Sequence, residues 1–363
     1  LLKNEGNVLP LKKKGQKIAL IGPLADDKNS PLGNWRIAAE NNSAVSVLEG
    51  MESYTGNEIV FSQGVKLVNS IPAFHEEVQI NTTDKCGFKA AKKAAKKADV
   101  VVMVLGEYGF QSGEGRSRTK LDLPGFQQEL LEEVYKVNPN IVLVLMNGRP
   151  LVLNWAEGHI PAIVEAWHLG TESGNAIAEI LYGDYNPSGK LPMSFPRSVG
   201  QMPLYYNYKN TGRPGADGAD AGSVFWSHYG DEKNSPLYPF GYGLSYTTFE
   251  YSEIELSSNS LSMNSKIQAS VVLKNTGNFK GKEVVQLYIR DHFASSIRPV
   301  KELKGFELVE LKPGESRKVT FAIDAELLQF YSARKTWEAE PGAFSLFIGS
   351  NSSTKRMVDF ELN

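Results

Sequence analysis

Val100-Val101-Val102-Met103-Val104-Leu105 and, further on, Ile141-Val142-Leu143-Val144-Leu145-Met146 are two wholly apolar runs of strand length. Such runs suit strands covered on both faces, as in a parallel sheet. Between them, Phe126 to Val137 sets Leu130, Leu131, Val134 and Val137 on one stripe of a helix, with Glu129, Glu132 and Glu133 outside it. Strand, helix, strand is the βαβ unit. The same rhythm extends outward in both directions. Ile18 to Gly22, Glu58 to Phe61 and Ala162 to Trp167 read as further strands, and Ser43 to Tyr54 and Phe88 to Ala98 as helices. At least five strands alternating with helices predict a mostly parallel α/β sandwich. Lys92, Lys93, Lys96 and Lys97, interleaved with alanines, read as a solvated helix face.

The character changes downstream. Residues 201–245 are rich in Gly, Pro, Tyr, Asp and Asn without periodicity, which reads as an extended connection. After Ser245 short alternating segments follow, among them Ile267 to Leu273, Val284 to Ile289, Val319 to Ile323 and Phe344 to Ile348. Asn275-Thr276-Gly277, Lys312-Pro313-Gly314 and Glu340-Pro341-Gly342 punctuate them as turns. The expected organisation is a flavodoxin-like α/β domain over 1–200, a connection over 201–245 and an all-β fibronectin type III-like sandwich over 246–363. Tyr288 and Phe306 are assigned to the sandwich core rather than to a carbohydrate-binding face.

Composition bounds the function. The chain has 363 residues, 41% hydrophobic and 22% charged, as a globular protein should. Lys plus Arg is 39 against 41 for Asp plus Glu, a net charge of -2, so no positive field favours nucleic acid or an anionic membrane. No apolar stretch reaches membrane-span length. The single cysteine, Cys86, has no partner within the chain for a disulfide. Leu1-Leu2, with no initiating Met, reads as the end of an apolar helical face, so the protein is expected to begin upstream.

Chemistry in an open parallel sheet gathers beyond the carboxyl ends of its strands. The connection after Val100 to Leu105 stands out, because Gly106 to Gly125 is about 20 residues where such loops usually have about 2 to 6. It holds Glu107, Tyr108, Glu114, Arg116, Arg118 and Asp122, with glycines at 106, 109, 113 and 115. Carboxylates flanked by cations in a Gly-rich loop suit acid/base work, and equally a solvated loop with incidental ion pairs. Asn147-Gly148-Arg149, Trp167-His168 and Thr171-Glu172 lie at other strand ends. Trp35 and Trp167 could stack on a sugar ring or simply pack. No G-x-S-x-G, Walker A or G-x-G-x-x-G pattern occurs where it would function. His75, His159, His168, His228 and His292 lack zinc-site spacing, so a histidine-based zinc site is not expected; no metal ligand and no cofactor is assigned, and carboxylate or carbonyl sites for calcium stay open.

Three longer motifs are more specific. They are Lys3-Asn4-Glu5-Gly6-Asn7-Val8-Leu9-Pro10-Leu11, Gly183-Asp184-Tyr185-Asn186-Pro187-Ser188-Gly189-Lys190-Leu191-Pro192 and Tyr238-Pro239-Phe240-Gly241-Tyr242-Gly243-Leu244-Ser245-Tyr246-Thr247. In this order the chain resembles glycoside hydrolase family 3, periplasmic β-glucosidase type. The resemblance implies the C-terminal portion of a retaining, exo-acting enzyme on terminal β-D-glucosyl residues, lacking the N-terminal (β/α)8 barrel that carries the nucleophilic Asp. It implies that Glu114 is the acid/base, with Glu107 as competitor and Arg118 at the basic position that follows in the motif; Arg118, Trp35 and Trp167 are the candidate substrate-binding residues. A periplasmic or secreted location and a carbohydrate substrate also follow from it, with the barrel as partner; a homodimer is left open. The readings to weigh against it are a β-xylosidase of the same family and a non-catalytic scaffolding or carbohydrate-binding module.

Overall fold

Strands β4 (Val100–Gly106) and β5 (Ile141–Met146) pair in parallel with every residue of both buried. They lie at the centre of a six-stranded sheet in the computed structural model, which describes residues 1–215 and 224–363. The other strands are β1 (Lys3–Asn4), β2 (Lys14–Ile21), β3 (Gly56–Ser62) and β6 (Ala162–Glu165), in the order β1-β6-β5-β4-β2-β3. All pairs are parallel except β1 with β6. The expected α/β sandwich is therefore present, with one antiparallel edge strand in addition.

Helices α1 (Val47–Glu52) and α5 (Ser173–Tyr182) pack against each other, as do α2 (Phe88–Ala95) and α3 (Gln127–Tyr135); α4 (Asn154–His159) joins β5 to β6. The first expected helix is shorter than its periodicity suggested, because Ser46 caps it. The Ser46 hydroxyl accepts from the Glu49 amide while the Glu49 side chain accepts from the Ser46 amide. On α2 and α3 the buried stripe is Ala91 and Ala95 with Leu130, Leu131 and Val134, and Lys92 pairs with Glu133 outside it. The chain runs from β2 outward to β3, then returns to β4 on the other side of β2. Connections leaving β2 and β4 diverge there, which opens a crevice at the carboxyl edge.

The chain divides into two compact units, Leu1–Tyr185 and Asn186–Asn363. The boundary thus falls earlier than the change of composition at 201, and part of the segment 201–245, residues 216–223, lies outside the described residues. The second unit holds a sandwich of two sheets. One contains β7 (Phe249–Tyr251), β8 (Glu255–Leu256), β10 (Lys266–Asn275) and β13 (Ser316–Asp324). The other runs β12 (Glu302–Leu311), β11 (Gly281–Asp291), β16 (Gly342–Gly349), β17 (Met357–Leu362) and β9 (Ser260–Leu261), and β14 (Phe330–Tyr331) with β15 (Trp337–Glu338) forms a separate ribbon. Alternate residues face inward, so Val271 and Leu273 meet Val285, Leu287 and Ile289, with Phe344 stacked on Phe360 at 5.3 Å.

Tyr288 is on the other face of β11, buried beneath Tyr206 and Phe240 rather than in the sandwich core. Phe306, paired with Gln286 on that outer face, is 70% exposed, and so is not a core residue. Alternation decides both, since Leu287 and Val285 take the inward positions. The residues before β7 are fastened to β11: Lys190 pairs with Glu283 at 2.9 Å, and Gln286 Nε2 donates to the Gly241 carbonyl at 3.0 Å. Among the described residues no helix is long and apolar enough to cross a membrane.

Candidate active site

At the end of β4 the backbone of Gly106 is clamped by Gln127, whose side chain accepts from its N–H at 2.9 Å and donates to its carbonyl at 2.7 Å. This turns the next residue, Glu107, inward. Its carboxylate is fully buried and accepts from Arg118 Nη1 at 2.6 Å, Arg149 Nε at 3.3 Å and the Gly148 N–H at 3.1 Å. With its oxygens engaged by two cations and a backbone donor, Glu107 ties the β4 loop to the β5 loop.

Glu114 is arranged in the opposite way. It lies exposed between Gly113 at φ +119° and Gly115 at φ +68°, in a turn closed by the Arg116 N–H donating to the Gly113 carbonyl at 3.2 Å. Neither neighbouring arginine turns to it. Arg116 donates to the carbonyls of Phe74 at 2.8 Å and Glu76 at 3.0 Å, and Arg118 to Glu107 and the Asp122 carbonyl. The cations that flank Glu114 in sequence therefore serve other partners.

Trp35 is 63% exposed on the loop after β2. Its neighbour Arg36 lies over the Phe110 ring at 4.9 Å, and Phe110 meets Tyr108 and Phe74 edge to face at 5.8 Å each. Trp167 is half-buried with φ +54°, its N–H donating to Glu165 Oε1 at 2.9 Å. Glu165 also accepts from Asn147 at 3.2 Å, and burial pushes its carboxyl up to about 8. His168 is held below the usual histidine range by burial. A Cβ on Gly33 would come within 3.7 Å of His168 Cβ, and one on Gly148 within 3.5 Å of its Nε2 and 2.0 Å of Ser112 Oγ. The loops after β2, β4, β5 and β6 thus meet around Ser112 and His168.

The structure brings Glu107, Arg118 and Arg149 into direct contact and leaves Glu114 at the solvent-facing tip of the same loop; Trp35 and Trp167 stand on separate loops of this edge. Sequence reasoning missed Gln127 and Phe74. A loop-length count would have flagged Phe74, because the connection after β3 is about as long as the one after β4, whereas nothing in the α3 pattern marks Gln127. A cavity of about 460 Å³ adjoins the site between the loops after β2 and β3, bounded by Asp26, Asp27, Asn29, Lys66, Ile71 and Tyr108. Neither Glu107 nor Glu114 lines it. Among the described residues no three His, Cys, Asp or Glu side chains are grouped as metal ligands.

Comparison with known proteins adds the following. The profile of the glycosyl hydrolase family 3 C-terminal domain matches residues 1–246, and that of the fibronectin type III-like domain residues 283–352. A periplasmic beta-glucosidase of Salmonella typhimurium is 46% identical over all of this chain and 48% of its own length. A beta-xylosidase of Formosa agariphila is 38% identical over 97% of the chain and 47% of its own length. The crystal structure of a beta-glucosidase from Listeria innocua in complex with glucose superposes with a TM-score of 0.90 at 37% identity, covering the whole chain and 48% of that protein. The chain therefore spans about half the length of the relatives it matches.

Proposed function

From the premise that this chain belongs to glycosyl hydrolase family 3, and carries its C-terminal and fibronectin type III-like domains, we propose that it is the C-terminal part of a retaining, exo-acting β-glucosidase in which Glu114 is the acid/base. The observation that carries this reading is the contrast between the loop's two glutamates. Glu107 has no exposed surface and is committed to Arg118, Arg149 and Gly148, while Glu114 is exposed on a turn from which both flanking arginines point away. A proton donor must reach the glycosidic oxygen and must not be held as a carboxylate by adjacent cations. The exposure of Glu114, and the engagement of Arg116 and Arg118 with other partners, support it in this role over Glu107.

In this mechanism a carboxylate on the N-terminal half of the enzyme attacks the anomeric carbon while Glu114 protonates the leaving oxygen. Glu114 then removes a proton from the water that releases the sugar, the two carboxyl groups being about 5 Å apart. Trp35 and Trp167 supply apolar ring faces at the same edge. Arg118, expected to bind substrate, also supports the loop through its bonds to Glu107 and the Asp122 carbonyl. The periplasmic name of the Salmonella relative favours a periplasmic setting. The Formosa relative favours a second reading, a β-xylosidase, which shares every step and differs in the sugar.

The test is hydrolysis of 4-nitrophenyl β-D-glucopyranoside by the chain alone and by the chain combined with a family 3 N-terminal domain. The chain alone is expected to be inactive and the combination active. Glu114→Gln should lower turnover on 4-nitrophenyl glucoside by about 10²-fold or more, within the range of general acid/base contributions. Azide should restore turnover on 2,4-dinitrophenyl glucoside. Full activity of Glu114→Gln, or turnover by the chain alone, would overturn the reading.

A further inference from the structure

We propose that Arg149 is a positioning residue for Glu114, fastening both ends of the segment that carries it. This rests on the assignment of Glu114 above.

The Nη2 of Arg149 donates to the carbonyls of both Gln111 and Arg116, the latter at 2.8 Å. One side chain thus closes the six-residue segment Gln111-Ser112-Gly113-Glu114-Gly115-Arg116 across its base. Such a segment needs closing. Gly113 and Gly115 both have positive φ, and glycines carry the largest backbone entropy of any residue, so an unfastened loop of this composition would sample many positions for Glu114. The closing hydrogen bonds go to backbone carbonyls, and therefore hold Glu114 in place without touching it.

The guanidinium is itself immobilised. Its Nε lies 3.0 Å from Glu107 Oε1 and 3.3 Å from Oε2, and Glu107 is fixed in turn by Arg118 and the Gly148 N–H. Arg149 is three residues beyond the end of β5 and Glu107 directly follows β4, so adjacent central strands of the sheet set the position of the loop. Lysine cannot replace this arrangement, since an ammonium lacks the planar fork that reaches a carboxylate with one edge and two carbonyls with the other.

The test uses Arg149→Lys and Arg149→Met in two measurements. In the chain alone, amide hydrogen exchange of 112–116 is expected to quicken by at least about ten-fold while that of β4 and β5 is unchanged. In the enzyme completed with its N-terminal domain, loss of proton delivery shows as a dependence on the leaving group. Arg149→Lys should lower kcat about 10²-fold on a poor leaving group such as an alkyl glucoside, the loss expected for misplacement by about 1 Å, and much less on 2,4-dinitrophenyl glucoside, with KM little changed. Equal losses on both substrates would mean general damage and overturn the proposal. Unchanged exchange at 112–116 would overturn the fastening itself, whatever the role of Glu114. Quickened exchange without any leaving-group dependence would overturn the proposal through the assignment of Glu114. If Arg149→Met does not fold, Arg149→Lys carries both measurements.

Discussion

The two glycines beside Glu114 are not equivalent. A Cβ on Gly115 would enter open space, so Gly115→Ala meets only the cost of a left-handed φ, about 1 kcal/mol. A Cβ on Gly113 would stand 2.1 Å from Asn34 Nδ2, and its φ of +119° lies outside the region that other residues visit. Gly113→Ala is expected to destabilise the first unit by about 2–4 kcal/mol, combining backbone strain with displacement of a buried side chain, and to lower activity of the completed enzyme far more than Gly115→Ala. Urea denaturation of the two variants side by side checks the difference. That both glutamates of this loop deserved attention was legible from sequence, because a carboxylate-bearing, Gly-rich loop of such length is uncommon. Which of them is exposed was not. The burial of Glu107 is decided by Arg149, 42 residues further along, and no local pattern records a pairing at that distance.

Elements were legible where one physical requirement dominated their sequence. β4 and β5 must be apolar throughout because both faces are covered, and the strands of the sandwich alternate because one face is not. Local reading failed where backbone contact or long-range polar bonds decide. Gly50 in α1 and Gly174 in α5 face each other so closely that a Cβ on Gly50 would lie 2.2 Å from the Gly174 carbonyl oxygen. Helix propensity alone predicts that Gly50→Ala stabilises by about 1 kcal/mol. The packing predicts the reverse: a net loss of about 1–3 kcal/mol as the two helices separate, seen as a lower Tm. The segment ahead of β7 is a second such case. Its composition resembles a free connection, yet Lys190 and Gly241 bond to Glu283 and Gln286 on β11, which draws it into the second unit.

At the scale of the molecule, charge balance sets the response to pH, and a net charge of -2 leaves little global repulsion to modulate. Individual buried groups then matter more. Glu165, raised from the ordinary 4.5 to about 8, keeps its proton in the folded chain over a range in which the unfolded chain has lost it. More protons bound by the folded state means that stability falls as pH rises from about 4.5 to about 8, and is level beyond. Glu165→Gln should remove this fall, matching the unmodified chain at pH 4.5 and exceeding it at pH 8.5 in the denaturation midpoint. A midpoint difference that is the same at both pH values would contradict the raised carboxyl.

β12 has a consequence of another kind. It ends one side of its sheet among the described residues and turns Phe306 and Leu308 outward, 70% and 56% exposed. Two copies meeting in concentrated solution would find there an edge strand with an oily face. Lys304, Glu307 and Glu310 on the same strand act as its spacers. Salting-out anions such as sulfate reinforce apolar contact and screen those three charges at once, so concentrated sulfate favours association through this strand.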